Sequence, residues 1–246
     1  MTLALRLPRS WHLATLALVL TAVASAPALA ETPRSMMLEL HGGGYSPDVD
    51  SALDGGTPWA DTFGSSSMTM LRLHLDYQIW QDFGSLAIGA GMGYGWIDGK
   101  ARDDGGEATE DEVGFNLVPL TLSIVYRWDW AAVNHSVPFV PYVKVGLTGA
   151  FWWATDAKDS ISNTRDAQGN AREGSGLTLG WHVGGGVMFL LDVFSAGMAA
   201  GFDNEAGVNN SYLFVEYLYT SIDDFGSADS LVLSDNALSF GLAFEF

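Results

Sequence analysis

The 246-residue chain contains no cysteine. That absence rules out both a disulfide framework and a lipoprotein anchor. Basic residues are scarce, with 11 lysines and arginines against 29 aspartates and glutamates. A chain this acidic repels nucleic acid and anionic lipid surfaces. Long apolar runs are missing too: past residue 30, no stretch approaches the ~18 residues of a membrane helix. Yet 48% of the residues are hydrophobic and the mean hydropathy is +0.15. That apolar content must be held in something other than long helices.

The first thirty residues stand apart. Arg6 and Arg9 precede an apolar stretch, "WHLATLALVLTAVASAP", and Ala28–Leu29–Ala30 then gives an A-x-A cleavage site before "ETPRS". This is the layout of a secretory signal peptide over 1–30. A retained anchor is the alternative, and Pro27 with its small neighbours favours cleavage. The mature chain is then 31–246, one domain of ordinary size. Without Arg6 and Arg9 it carries 9 basic and 29 acidic side chains, a net charge of −20.

Within 31–246 the dominant period is two. In "SLAIGAGMGYGW" (85–96), Leu86, Ile88, Ala90, Met92, Tyr94 and Trp96 alternate with Ser85, Ala87 and four glycines. The same alternation runs through 71–79, 118–128, 139–153, 177–191 and 237–246, and more weakly through 36–45 and 211–219. Alternation of this kind marks β-strands with two contrasting faces. Eight such strands, each long enough to cross a bilayer at a slant, predict an all-β, eight-stranded antiparallel transmembrane barrel.

A soluble barrel of lipocalin type would turn its apolar face inward. Three features oppose that. The glycine stripe Gly89, Gly91, Gly93 and Gly95 suits a narrow lumen and not a soluble exterior. Aromatics gather at strand ends: Tyr94, Trp96, Phe151, Trp153, Tyr217 and Tyr219 at one end, Tyr77, Tyr126, Trp128, Phe139, Phe189, Phe244 and Phe246 at the other. Such rings form the girdles of membrane barrels. Connections also alternate, long and polar at 46–66, 97–114, 154–176 and 220–234, short at 81–84 and 129–138. The connection 192–209 is long where a short one is expected. The apolar face therefore meets lipid.

The chain closes on "SFGLAFEF". Ser239, Gly241, Phe244 and Phe246 match the terminal signal that addresses outer-membrane barrels to their assembly machinery. A last strand must also pair with the first, because an open edge in lipid leaves backbone groups unsatisfied.

Long stretches, "GYSPDVD", "DYQIWQDFGSLAIGAGMGYG", "PFVPYVKVGL", "GWHVGGGVMFLLD" and "DNEAGVNNSYLFVEY", together with the closing strand, resemble a family of small single-chain outer-membrane β-barrel proteins met mainly in myxobacteria. The resemblance runs from about residue 40 to the end. It implies location and fold and brings no chemistry with it.

Chemistry is sparse. His74 and Asp76 share the inward face about 7 Å apart on one strand, with no serine placed beside them by spacing. Asp48, Asp50 and Asp54 suggest a calcium loop, but Ala52 stands where a ligand is needed and the distal glutamate is missing. The acidic run 103–112 reads as a solvated loop, with a site for divalent ions as the alternative. "GAGMGYG" is no nucleotide motif, since its glycines alternate along a strand. No cofactor and no catalytic or metal-ligating residue is expected.

Parity points Glu39, Asp76, Glu216 and Glu245 inward, with Arg72, Arg127 and Lys144 and with His41, His74 and His182. This near-neutral set predicts a network of paired charges in a plugged lumen. The four long loops, by contrast, hold 18 acidic and 5 basic residues. Two function classes remain: a non-enzymatic envelope barrel offering acidic loops to a partner, or a narrow transporter or small-ligand binder with Tyr142 and Trp152 lining a cavity. Expected partners are outer-membrane lipid, lipopolysaccharide and the assembly machinery; nothing identifies a surface partner.

Overall fold

The computed structural model describes residues 35–52, 56–103, 106–135, 137–158, 160–165, 171–194, 207–227 and 230–246. The leader expected over 1–30 lies outside them. The described residues form ten strands: β1 (Met36–Tyr45), β2 (Met68–Gln81), β3 (Ser85–Arg102), β4 (Ala108–Arg127), β5 (Phe139–Thr155), β6 (Asn163–Arg165), β7 (Ala171–Glu173), β8 (Ser175–Leu190), β9 (Asn210–Ile222) and β10 (Asp235–Glu245). Eight of them close an antiparallel barrel in the order β1-β10-β9-β8-β5-β4-β3-β2, while β6 and β7 pair separately in a loop. All eight expected strands are there, and no helix among the described residues is long and apolar enough to cross a membrane.

Alternation decides which face goes where. Ile88, Met92, Leu122, Ile124, Val143, Val145, Leu147, Leu213 and Phe240 stand exposed on the outer wall. Glu39, Asp76, Arg127, Lys144, His182 and Glu216 are buried inside it. A wall that is apolar outside and charged inside is stable only in lipid, so the barrel is a transmembrane one. Aromatic pairs mark both edges of the apolar band. Tyr94 stacks on Trp96 at 5.4 Å and Trp181 meets Tyr219 at 5.4 Å near the long connections; Phe139 meets Phe189 at 5.1 Å near the short ones.

Closure is made by the last residues. Leu38 pairs with Phe244 and Gly43 with Ser239 across β1 and β10. Beyond the strand, Phe246 donates its N–H to Met36 at 2.9 Å and accepts from Ser35 at 2.8 Å. The wall is interrupted between β2 and β3, where the register shifts between Gln78 and Trp80, and between β3 and β4, where pairing lapses from Met92↔Leu120 to Gly95↔Leu117. Pro119 sits in that gap, and a proline brings no N–H to a ladder.

The connections differ from expectation. Over 97–114 the chain is mostly strand, since β3 runs to Arg102 and β4 begins at Ala108. That ribbon pairs Asp98 with Gly114 and Lys100 with Glu112. Outside lipid a strand needs no apolar alternation, and so the pattern there is silent. Within 154–176 sits the β6–β7 hairpin. The 46–66 connection folds into a 3-10 turn, Val49–Ala52, and a short helix α1, Pro58–Phe63; 129–138 holds helix α2, Trp130–His135. The strand register survives the long 192–209 connection, with Leu190 opposite Tyr212; most of that connection lies outside the described residues.

Candidate functional site

The lumen is layered. At the long-loop end, Tyr45, Met68, Met70, Ile97, Phe115, Leu117 and Leu233 form an apolar cluster against which Trp59 and Phe63 of α1 pack. At the short-turn end, Met37, Val125, Val140, Met188, Tyr212 and Phe214 form another, with Ala132 of α2 against it. The inward charged residues other than Glu245 lie between the two.

Three carboxylates and three cations share this middle layer. Glu39 is fully buried and serves two cations: Arg127 donates from Nη2 to Oε1 at 2.6 Å, and Lys144 donates from Nζ to Oε2 at 3.3 Å. Arg127 also donates to Asp76. Lys144 Nζ lies 2.5 Å from Glu216 Oε2, to which the Tyr142 hydroxyl donates at 3.0 Å. Arg72 is looser. Its side chain is 16% exposed, it stands 3.7 Å from Glu216, and it donates to Ser239 Oγ at 3.0 Å. Glu245 stands apart at the short-turn end, accepting from Gln78, Asn210 and Tyr212. A charge taken into so dry a space costs several kcal/mol unless it is paired and hydrogen-bonded. The near balance of signs meets that cost locally.

Spacing along the chain does not reveal that Ser123 of β4 lies beside His74. Its Oγ is 3.3 Å from His74 Nε2 and 3.0 Å from His182 Nε2, and Thr148 Oγ1 is 2.8 Å from His182 Nδ1. His74 Nδ1 is 2.8 Å from Asp76 Oδ1, close enough for a charge contact although its angle is not that of a hydrogen bond. One proton arrangement fits the three hydrogen bonds. With Nδ1–H turned toward the Asp76 charge, His74 Nε2 accepts from Ser123; Ser123 then accepts from His182 Nε2–H, and His182 Nδ1 accepts from Thr148. The hydrogen-bonded chain therefore joins side chains of four strands, β5, β8, β4 and β2, and ends with His74 against the Asp76 charge. Glycine makes the reach possible. At Gly91 a Cβ would sit 2.5 Å from the His74 ring and 2.6 Å from Thr121 Oγ1, and at Gly146 one would sit 2.7 Å from the His182 ring.

Asp76, His74 and Ser123 are ordered like an acid, a base and a nucleophile. Their setting does not suit that chemistry. Ser123 is buried, and the adjoining cavity, lined by Arg72, His74, Ser123, Lys144 and His182, has a volume of about 30 Å³. That is space for about two waters. Among the described residues two ligand-type triplets also converge, Glu39, His74 and Asp76, and Glu39, His41 and Glu216. In each, two carboxylates already share a cation, Arg127 in the first and Lys144 in the second.

The remaining sequence candidates fall elsewhere. Tyr142 and Trp152 fill the lumen more than they line it. Tyr142 is tied to Glu216, while Trp152 stacks on Phe115 at 6.1 Å and donates to Thr178 at 3.2 Å. Asp50 accepts from Trp59 N at 2.8 Å and Ala60 N at 2.9 Å, so it is spent on starting α1; Asp54 lies outside the described residues. The terminal set splits by face. Ser239 and Gly241 point inward, Gly241 leaving room for the Phe214 ring that meets His41 at 4.6 Å. Phe244 and Phe246 belong to the other parity.

Residues 15–246 match the family model described as "Outer membrane protein beta-barrel domain". No curated protein matches. Among solved structures the chain is similar to Neisserial surface protein A, at 15% identity over 86% of this chain and 96% of that one, with a TM-score of 0.45. It is similar to Ail of Yersinia pestis in complex with the heparin analogue sucrose octasulfate, at 12% identity over 86% and 97%, TM-score 0.43. It is also similar to the outer membrane enzyme PagL, at 16% identity over 85% and 98%, TM-score 0.38.

Proposed function

Because the chain belongs to the outer membrane protein beta-barrel domain family, we propose that it works in the envelope as a closed, non-enzymatic barrel displaying acidic loops at the cell surface. It is an integral outer-membrane protein. The observation that carries the proposal is the lumen, with paired charges held between two apolar clusters. A water-filled channel needs no such pairing, and eight strands enclose little more than their own side chains. In planar bilayers the purified protein is expected to give no steady single-channel conductance. Large, stable openings would overturn the closed lumen and put narrow-barrel transport first.

The long loops face outward in this reading, where their negative charge meets divalent cations bridging lipopolysaccharide phosphates. The leader over 1–30 is removed on export. Ser239, Gly241, Phe244 and Phe246 address the chain to the assembly machinery, and Phe246 also helps close the seam through its backbone bonds with Ser35 and Met36. Ser239 and Gly241 also have packing duties, so the outward pair is the cleaner test. Replacing Phe244 and Phe246 with serine is expected to abolish outer-membrane assembly while export continues. Normal amounts of heat-modifiable protein in the outer membrane would refute the addressing role.

A further inference from the structure

A second concave site lies outside the lumen, at the rim of the long-loop end. It occupies about 490 Å³ between the 46–67 connection, the start of β10 and the outer face of β9. This is the size range of small-molecule sites. Trp59 and Tyr219 contribute rings, while Asp48, Asp235, Asn236 and Ser66 contribute polar groups. None of the lining residues is lysine, arginine or histidine.

The site is built before any ligand arrives. Asp50 holds the Trp59 and Ala60 N–H groups, and the Trp59 ring is propped by Phe63 at 4.6 Å and Phe115 at 5.1 Å. Ser46 N donates to Asp235 Oδ2 at 3.1 Å, joining the two chain segments that flank the groove. Tyr219 rests on Trp181 at the upper edge of the apolar band. Side chains held in place lose little freedom on binding.

The lining selects the chemistry. With no cationic side chain and several carboxylates, it disfavours phosphate, sulfate and carboxylate ligands. Its balance of rings with hydroxyl, amide and carboxylate groups suits a ligand that has both C–H faces and many hydroxyls. Ring faces carry negative charge density and accept such C–H faces. Asp48, Asp235 and Asn236 can take hydroxyl hydrogen bonds, and a protonated amine would gain from both carboxylate and ring. We propose that this groove binds an uncharged or amine-bearing saccharide of one or two rings. The inference deepens the surface-display reading and shares none of its dependence on the lumen. The saccharide can arrive from solution or as the headgroup of an outer-leaflet glycolipid, since the groove opens beside the lipid-facing Tyr219.

The test is a titration of the folded protein in detergent with maltose, glucosamine and sucrose octasulfate, read by calorimetry. Maltose or glucosamine should bind saturably, and the sulfated disaccharide should bind more weakly than either. Tyr219→Ala and Asp48→Ala both alter exposed side chains, and each should weaken saccharide binding at least five-fold with heat-modifiability unchanged. Absence of binding by both sugars, parent-like binding by both variants, or preference for the sulfated ligand would overturn the site. Reconstitution with and without an uncharged diglucosyl diacylglycerol then separates the sources: competition with maltose assigns the groove to a membrane glycolipid, and undiminished maltose binding assigns it to a glycan from solution. A barrel that conducts ions yet binds maltose at the rim would defeat the closed-lumen reading alone.

Discussion

Acidic side chains occupy two regions of this molecule under opposite rules. In the middle of the lumen, Glu39, Asp76 and Glu216 each meet a cation, and three carboxylates face three basic groups. In the loops, 18 acidic residues face 5 basic ones with no attempt at balance. Solvent makes the difference. Loop charges are hydrated and screened within about 8–10 Å, so their sum is free to follow function. Lumen charges have lost most of that hydration, so their number is fixed by the partners the wall can offer. The same residue type is therefore a structural constraint inside and an adjustable surface property outside.

The sharpest way to break this comparison is to remove one inner cation. Lys144→Ala leaves Glu39 and Glu216 short of a shared partner and should lower unfolding stability by roughly 3–5 kcal/mol. Arg72→Ala should cost about half as much, because Arg72 is partly exposed and 3.7 Å from its carboxylate. Urea unfolding of both variants in vesicles checks the order; equal losses would mean that exposure does not govern the cost. Removing charge in pairs sharpens the point. Lys144→Met with Glu216→Gln keeps the lumen neutral and should recover at least half of the single-variant loss.

Ser123→Ala probes the neutral part of the same layer. It strips the hydroxyl shared by His74 and His182 and should cost about 1–3 kcal/mol, the penalty of leaving buried polar atoms unpaired. A fluorophosphonate should leave unmutated Ser123 unlabelled at neutral pH. Labelling would show that the centre is reachable and would move acyl chemistry ahead of a structural role.

What could be read from the chain follows the same division. The eight barrel strands were legible because lipid on one side and packed polar groups on the other impose alternation along 85–96 or 237–246. Beyond the membrane that contrast ends, and the β3–β4 ribbon past Trp96 could not be told from a loop. Inward charges followed from parity, but their pairings did not, since Arg127 and Glu39 are far apart in sequence and meet across the lumen. Ser123 was hidden for a related reason: it reaches His74 across β3, and inter-strand register is not written along one strand. A signal was present in Gly89, Gly91 and Gly146. An inward position with no side chain in a packed lumen implies that a neighbour's side chain fills the space. The rim groove depends on α1 and on the approach of β10, neither of which leaves a periodic trace.

The smallest effect is expected at the loop end of the comparison. Asp156 follows β5, where its Oδ1 accepts from Lys158 N at 2.9 Å and Ser160 N at 3.0 Å. The Lys158 N–H, then that of Ser160, hold its carboxyl below the usual aspartate value. A depressed carboxyl stabilises the fold above its unfolded pKa of about 3.9, and that contribution is lost as pH falls through the folded value. Between pH 5 and 8 it is therefore constant, and solvent screening keeps it small. Asp156→Asn keeps an acceptor oxygen and removes only the charge, so its unfolding midpoint should match that of the parent protein at pH 7. The carboxyl resonance of Asp156 in the folded barrel should titrate below the free aspartate midpoint. A drop in stability for Asp156→Asn comparable to that of Lys144→Ala would mean that loop charges are as constrained as those in the lumen, and the division between the two regions would fail.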